Sequence, residues 1–287
     1  MKNHLKRFIV LGTIALGIFI SCDNEDTSDA DVLAAEEATI TNEEIQLTDE
    51  ADLIVEDITA IVEDVYATGE INATSRFPYN SDFLPECVTI TTEVTDNSIE
   101  RTVVFEGDCE LPNGNILSGT IVLRHERDME AAVKTINFSL ENFSFNGVIV
   151  EGASSIVRTR ENENGNPQSV ANANFNATWP DGTDASLSGI RTREWIEGFG
   201  TGTFGDNVFL ITGNRTFTNR NGITFEREII TPLRRELACR FIVSGVLQIS
   251  RNETSVSLDF GDGNCDNIGV VTNAEGESRE IRLRRFR

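Results

Sequence analysis

The chain has 287 residues, of which 39% are hydrophobic, and a formal net charge of −23 at pH 7. This length suffices for one large or two modest domains with a real hydrophobic core. The acidic charge argues against nucleic-acid binding and against adhesion to anionic lipid headgroups, because both need a basic surface. The acidity is concentrated near the N-terminus, where residues 23–75 hold 17 acidic residues and no Lys or Arg.

Residues 1–21 have the composition of an export signal. Three basic residues precede an apolar run, 8–20, and the small residue Ser21 precedes Cys22. The apolar run is shorter than the roughly 20 residues that a membrane-spanning helix needs. The pattern therefore predicts a secretory signal peptide.

The segment around Cys22 resembles a bacterial lipoprotein signal peptide, in which the cysteine becomes the lipidated first residue of the mature chain. Phe19 stands where that pattern usually has Leu, whereas Ile20 and Ser21 fit its looser form. The acidic run at 23–26 resembles the export tag of surface lipoproteins in the Bacteroidetes group. The resemblance implies an envelope or surface lipoprotein held in the outer membrane by lipid on Cys22. Cleavage without lipidation and a periplasm-facing orientation are the alternatives.

Residues 22–47 are predicted to form a flexible acidic tether, although Thr41 and Glu44 have the spacing of a helix capping box. A helix is predicted at about 49–67, where apolar residues recur at helical spacing: Ile54, Ile58, Ile61, Val62 and Val65. An isolated helix of this length is marginal in water. We therefore expect its apolar stripe to dock on the rest of the protein, with a partner protein as the alternative.

After residue 70 the pattern changes to alternation of apolar and polar residues, as in Ile136, Phe138 and Leu140. This period predicts half-buried antiparallel strands. Asn-Gly and Asp-Gly dipeptides, which favour tight hairpin turns, separate the runs at 113–114, 146–147, 164–165, 181–182, 221–222 and 262–263. The predicted fold of the domain 48–287 is mainly β, a large antiparallel meander of 12–14 strands. The sheet is expected to be curved or folded into a sandwich, with one N-terminal amphipathic helix.

Four cysteines follow Cys22, namely Cys87, Cys109, Cys239 and Cys265. An even number in an exported chain predicts two disulfides, for which three pairings exist. A weak internal similarity between the regions around the first and second pairs favours Cys87 with Cys109 and Cys239 with Cys265. It also suggests two related halves of the sheet, with coincidence as the alternative. The spacings do not resemble those of a zinc site, and we expect no metal and no cofactor.

Catalytic motifs are not evident. His125 is the only His after residue 4, and among charged neighbours at a strand end it is interpreted as a surface residue. Trp179, beside an Asp-Gly turn, is interpreted as a packing residue and less readily as a platform for a sugar ring. No catalytic residue is therefore predicted.

Three arginine pairs have a spacing of two and so lie on one face of a strand: 158 with 160, 191 with 193, and 282 with 284. Such a band could hold an acidic ligand or the protein's own acidic helix. Neutralisation by glutamates on neighbouring strands is the preferred interpretation.

The predicted function is a non-catalytic binding or structural role in the envelope, with an envelope protein or a glycan as the candidate partner. One alternative is a carrier or chaperone that holds an apolar ligand in a curved sheet. Another is a surface hydrolase that works through two carboxylates about 5–10 Å apart.

Overall fold

The computed structural model describes residues 39–76, 79–128 and 131–283. The predicted signal peptide, Cys22 and the predicted tether up to residue 38 lie outside them. Within these ranges there is one α-helix, α1, which spans Asn42–Thr74. Thirteen strands follow it: β1 Val88–Val94, β2 Ser98–Glu110, β3 Ile116–Glu126, β4 Val133–Phe145, β5 Val148–Thr159, β6 Gln168–Thr178, β7 Asp184–Glu197, β8 Val208–Asn219, β9 Thr224–Glu236, β10 Ile242–Arg251, β11 Thr254–Asp262, β12 Ile268–Asn273 and β13 Ser278–Arg282.

The strands form one antiparallel sheet in which spatial order equals sequence order, from β1 at one edge to β13 at the other. This confirms the predicted meander and the predicted strand number. All six Asn-Gly and Asp-Gly dipeptides lie at the end of a strand or between consecutive strands. At the β4–β5 hairpin, Asn146 and Gly147 have φ values of 50° and 82°, the left-handed backbone that a type I′ turn requires.

α1 begins with the capping box that the sequence suggested. Glu44 N donates to Thr41 Oγ1 at 3.2 Å, and Thr41 N donates to Glu44 Oε2 at 2.8 Å. The helix includes the predicted range 49–67 and extends beyond it at both ends. Residues 42–47, assigned to the tether from their sequence, are therefore helical. The sheet supplies a charged partner for this turn, since Arg251 Nη1 lies 2.5 Å from Glu44 Oε1.

The sheet curves around α1. Every residue from 51 to 67 is buried, so the polar faces of the helix are enclosed along with the apolar stripe. Contacts reach α1 from strands far apart in the sheet: Gln46 donates to the carbonyl of Arg282 in β13, and the Tyr66 ring meets the edge of His125 in β3. The expectation that the helix docks on the rest of the protein is thus confirmed. The burial is larger than expected, because all faces of the helix are buried and not the apolar stripe alone.

The concave face of the sheet carries the hydrophobic core. Strand residues alternate between buried and exposed, as in β6, where Ala171, Ala173 and Phe175 are buried between exposed asparagines. These side chains and the apolar stripe of α1 belong to one hydrophobic cluster. Among the described residues, no helix combines the length and the apolar character that crossing a membrane requires.

The disulfides are Cys87–Cys109 and Cys239–Cys265, which confirms the favoured pairing. Each one closes the open end of a hairpin, β1–β2 in the first case and β10–β11 in the second. The internal similarity does not continue beyond these hairpins. The segment matched to β3 lies in β13, and β12 intervenes.

Candidate functional site

The interior of the curved sheet is ionic as well as apolar. Asp, Glu and Arg are almost never fully buried unless they are paired. Here α1 contributes seven buried carboxylates, Asp49, Asp52, Glu56, Asp57, Glu63, Asp64 and Glu70. The strands contribute seven buried arginines, Arg158, Arg191, Arg193, Arg215, Arg227, Arg235 and Arg251.

Asp52 is the centre of this ionic core. Its two carboxylate oxygens lie 3.0 Å from Arg191 Nη2 and 2.7 Å from Arg215 Nη1, and Oδ2 is also 3.3 Å from Arg227 Nη2. Burial by itself raises the pKa of a carboxyl, but these three guanidinium groups outweigh it and hold the pKa of Asp52 well below its usual range. Asp52 is therefore ionised at neutral pH.

Further along α1, the same kind of pairing continues. Arg193 contacts Glu56 through Nη1 and Glu63 through Nε, the latter at 3.0 Å. Arg235 Nη2 lies 2.8 Å from Asp57 Oδ1. The ion pairs thus follow the helix axis for several turns, with partners taken from β7, β8 and β9.

Two glycines beside the buried arginines allow β7 and β8 to approach closely. In the β7–β8 pair, Gly189 lies opposite Arg215 and Gly213 lies opposite Arg191. A Cβ on Gly213 would come within 2.4 Å of Ile190 O, and one on Gly189 within 2.6 Å of Arg215 Cα. The φ values, 139° for Gly189 and 108° for Gly213, also disfavour other residues. Glycine therefore permits close strand approach beside the bulky pairs.

The three arginine pairs noted in the sequence differ in their partners and in their burial. Arg191 and Arg193 pair with the protein's own acidic helix. This was an alternative to the preferred interpretation, neutralisation by glutamates on neighbouring strands. Arg158 and Arg160 meet Glu70 of α1 at 4.0 and 3.1 Å. Arg282 is exposed, and residue 284 lies outside the described residues.

Cross-strand neutralisation is thus wrong for the pairs at 158–160 and 191–193, because the opposing charges come from α1. The spacing pattern in the sequence did not single out Arg215, Arg227 or Arg235. The signal that could have found them is an Arg at an inward position of an alternating strand, as in Phe225-x-Arg227-x-Ile229.

Around Asp52, the space between α1 and the sheet is filled. Beside Asp52, Glu56, Arg191 and Arg227 there remains a cavity of about 10 Å³, near the minimum that one water molecule requires. The larger open spaces in the described part of the chain lie on the outer face of the sheet, at its rim, and between α1 and β1–β2.

At the C-terminal half of α1, His125 is buried, so its interpretation as a surface residue is wrong. Arg101 Nη1 lies 3.1 Å from His125 Nε2, and His125 Nδ1 lies 2.9 Å from Glu126 O. Because a guanidinium only donates, Nε2 must accept and Nδ1 carries the proton. Burial lowers the pKa of His125, and Arg101 lowers it further. The imidazole is therefore neutral at neutral pH.

Lys134, in β4, lies close to this histidine and faces the same interior. Its side chain is buried, and its Nζ has no hydrogen-bond partner within the described ranges. Lys134 and His125 both line a pocket of about 680 Å³ at the rim of the sheet. This rim pocket is bordered by residues of the β1–β2 turn and by Asp128 and Ala131.

A second groove of about 600 Å³ lies between α1 and β1–β2 and is lined by Asp64, Ser81 and Arg101. Ser81 Oγ donates to Asp64 Oδ1 at 2.8 Å. Burial raises the pKa of Asp64 to about 7, helped by the charge of Asp82 and opposed by the Ser81 hydrogen bond. Asp64 thus carries a proton for part of the time at neutral pH.

The tryptophans pack in the interior. Trp179 and Trp195 are both buried, and Trp195 Nε1 donates to Asn207 Oδ1 at 3.0 Å. The packing interpretation of Trp179 is confirmed. Among the described residues, no group of three or more His, Cys, Asp or Glu side chains is arranged to hold a metal ion.

The fold and the site together define a curved antiparallel sheet that encloses its own acidic helix through an ionic core. Comparison of the chain with protein-family models, with curated proteins and with solved structures finds no match.

Proposed function

We propose that the chain is a lipid-anchored lipoprotein of the cell envelope or surface whose folded body has a non-catalytic structural or binding role. Two features support the compartment. The N-terminal segment ending at Cys22 resembles a lipoprotein signal peptide, and the two disulfides suit an oxidising environment. In this proposal the lipid on Cys22 attaches the chain to the outer membrane.

The observation that carries the structural or binding role is the filled interior. A carrier of apolar molecules needs a cavity of a few hundred Å³, whereas about 10 Å³ remains between α1 and the sheet near Asp52. A ligand or partner therefore has to use the outer face, the rim or the groove between α1 and β1–β2. The outer face offers an open groove of about 530 Å³ lined in part by Asn137, Asn172 and Asn174.

The carboxylates also favour a non-catalytic role. Hydrolysis of a glycosidic bond commonly uses two carboxyl groups, one protonated and one ionised, across a cleft. The carboxylates of the ionic core are paired with arginines and closed off from solvent. In the groove beside Asp64, that residue is the single carboxyl among the described lining residues.

Membrane fractionation of a bacterial host that processes lipoproteins tests the anchor. The wild-type chain should sediment with the outer membrane, and its intact mass should equal the chain from Cys22 onward plus acyl groups. The Cys22→Ser variant should lose the lipid and leave the membrane fraction. The matched control, Ser21→Ala, keeps a small residue before the cysteine and should behave as the wild type. A soluble wild-type protein with an unmodified Cys22 thiol, or with an uncut leader, would refute the proposal.

Solvent extraction of the purified protein tests the absence of a carried ligand. We expect mass spectrometry to find no stoichiometric lipid beyond the covalent acyl chains. A co-purifying apolar molecule in equimolar amount would instead favour the carrier.

A further inference from the structure

The first strand leaves one edge of the sheet open. β1 pairs with β2 and with no other strand in the described part of the chain. Proteins commonly protect such an edge with charged residues, proline, a bulge or a short strand. β13, at the opposite edge, has five residues of which three are charged, and α1 contacts it through Gln46 and Asn42. β1 has seven residues, Glu93 is the only charged one among them, and its pairing with β2 has no register shift.

The hydrogen bonds of the β1–β2 pair show which backbone groups of β1 point outward. Glu106 N donates to Cys87 O. Because hydrogen-bonded and non-hydrogen-bonded positions alternate along an antiparallel pair, the odd-numbered residues of β1 bond to β2. The backbone N–H and C=O groups of Ile90, Thr92 and Val94 therefore point away from β2, where a further strand can pair with them.

The inner side of this edge is apolar. The register places Ile90 opposite Val103 and Val94 opposite Ile99, so both side chains lie on the inner face of the sheet. Val103 is fully buried, whereas Ile90 is 44% and Val94 is 56% exposed. An added strand with apolar residues at its inward positions would bury both side chains, which favours binding.

The outer side of the same edge is acidic. Glu93 lies opposite Glu100, and like charges directly opposite each other destabilise a sheet. Thr89 Oγ1 donates to Glu106 Oε1 at 3.2 Å, which brings a third carboxylate to this side. The first basic residue on the outer face lies two strands from the edge, where Arg124 of β3 is opposite Glu100. Basic residues on an added strand would compensate these charges, whereas a second copy of β1 would add another glutamate.

We propose that the β1 edge binds an extended segment of a partner protein in which apolar residues alternate with polar ones that include basic residues. The backbone of the segment pairs with Ile90, Thr92 and Val94. Its apolar side chains cover the inner face, and its basic side chains lie near Glu93 and Glu106. This inference deepens the proposed function, because it assumes a binding role for the folded body and names the class of partner.

Fluorescence anisotropy of a labelled synthetic peptide tests the edge. The probe Val-Lys-Ile-Thr-Val-Lys-Val, paired antiparallel to β1, places its lysines opposite Glu93 and Thr89 and its apolar residues on the inner side. The purified mature chain in detergent should bind it, and more weakly at high salt, because the charges are exposed. The same peptide N-methylated at Ile and at the central Val lacks two N–H groups that face β1. It should bind about tenfold more weakly or worse.

Variants of β1 locate the binding site. Thr92→Pro removes an N–H that points outward and leaves the β1–β2 hydrogen bonds in place, so the melting temperature should stay close to that of the wild type. Its affinity for the peptide should fall by about fivefold or more, the effect of one hydrogen bond. Thr92→Val is the matched control, since it keeps the N–H and should bind as the wild type. Glu93→Gln should bind about twofold more weakly or worse, with a smaller dependence on salt.

Three results would overturn the inference. The first is no binding of the alternating peptide by the wild type, and the second is equal binding of the N-methylated peptide, which is measured on unchanged protein. The third is a wild-type dimer in analytical ultracentrifugation that Thr92→Pro dissociates, because a second copy would then occupy the edge. The lipid anchor is tested separately by the membrane fractionation of the Cys22 variants, so failure of one proposal is distinguishable from failure of the other.

Discussion

Each buried arginine of the ionic core is held by carboxylates that come from a single helix. Arg193 is an example, because its guanidinium bridges Glu56 and Glu63, which lie about two helical turns apart. A buried ion pair contributes little to the free energy of unfolding compared with apolar residues of the same shape. Removal of one partner, however, leaves an uncompensated buried charge. The core therefore specifies where α1 sits more than it adds to stability.

Replacement of Arg193 with Met should lower the free energy of unfolding by about 3 kcal/mol, because Glu63 loses the arginine with which it pairs in the interior. The control Arg234→Met breaks pairs that are partly exposed and should cost less than about 1 kcal/mol. Urea unfolding followed by circular dichroism measures both. Equal effects of the two substitutions would contradict a buried ionic core.

The raised pKa of Asp64 makes stability depend on pH. The pKa is about 7 in the folded protein, against 3.8 for the unperturbed group. Between these values the native state binds more protons than the unfolded state, so stability falls as pH rises from about 4 to about 7. The penalty is on the order of 4 kcal/mol above pH 7, at about 1.4 kcal/mol per pKa unit.

The Asp64→Asn variant removes this penalty and still accepts the Ser81 hydrogen bond. Urea unfolding from pH 5 to 8 should show a flatter pH dependence for the variant, and the variant should be the more stable protein at pH 8. Asp181→Asn is the control, because the pKa of that exposed carboxyl is lowered by the Thr183 backbone and lies outside this window. Parallel pH curves for wild type and Asp64→Asn would show that Asp64 is ionised throughout.

At the scale of elements, the sequence predicted what local chemistry determines. Asn146-Gly147 and the equivalent dipeptides predicted the hairpins. The alternation of apolar and polar residues predicted the antiparallel strands of the meander. The apolar residues at helical spacing around Ile58 predicted α1. The start of α1 at Asn42 was missed, because its first turns are polar and gain their partners from distant strands, as with Glu44 and Arg251.

The ionic core could not be predicted for the same reason. Arg193 and Glu56 are 137 residues apart, and strand alternation can place an Arg on the inward face without indicating which carboxylate it meets. The rim pocket depends on the same kind of distant contact. Lys134 looks like an ordinary charged residue at the start of a strand until its burial and its register partner in β5, Arg158, are known.

Enclosure of α1 has a direct test at Ile58, which is fully buried. Ile58→Asp places a charge among apolar side chains without a partner, and a loss of several kcal/mol or failure to fold is expected. Ile58→Val removes one methyl group and should cost about 1 kcal/mol. Thermal melts of the three proteins measure the difference. A melting temperature of Ile58→Asp equal to that of the wild type would mean that α1 does not pack inside the sheet.

For the whole molecule, a continuous meander distributes stability unevenly. The edge strand β1 is exposed along most of its length and pairs only with β2. The inner residues of β10 alternate with partly buried ones and pack against the core. Each of these strands begins just after a cysteine that a disulfide joins to the far side of its hairpin. The two disulfides therefore protect regions of different local stability.

Separate removal of the disulfides should give different results. A disulfide that closes a loop of this length contributes about 3 kcal/mol when the whole loop unfolds with the protein. The double variant Cys239→Ala with Cys265→Ala should lose stability of that order, because β10 and β11 are paired on both sides. The double variant Cys87→Ala with Cys109→Ala should lose less globally, because β1 can detach by itself.

Hydrogen exchange distinguishes the two cases. In the Cys87/Cys109 variant the amides of β1 should exchange faster while those of β7–β9 stay protected, whereas the Cys239/Cys265 variant should lose protection across the sheet. Alkylation of unfolded, unreduced wild type should find none of the four thiols free, which controls for the presence of both bonds. Uniform loss of protection in both variants would show that the edge strand unfolds only with the whole sheet, and that the meander is a single cooperative unit.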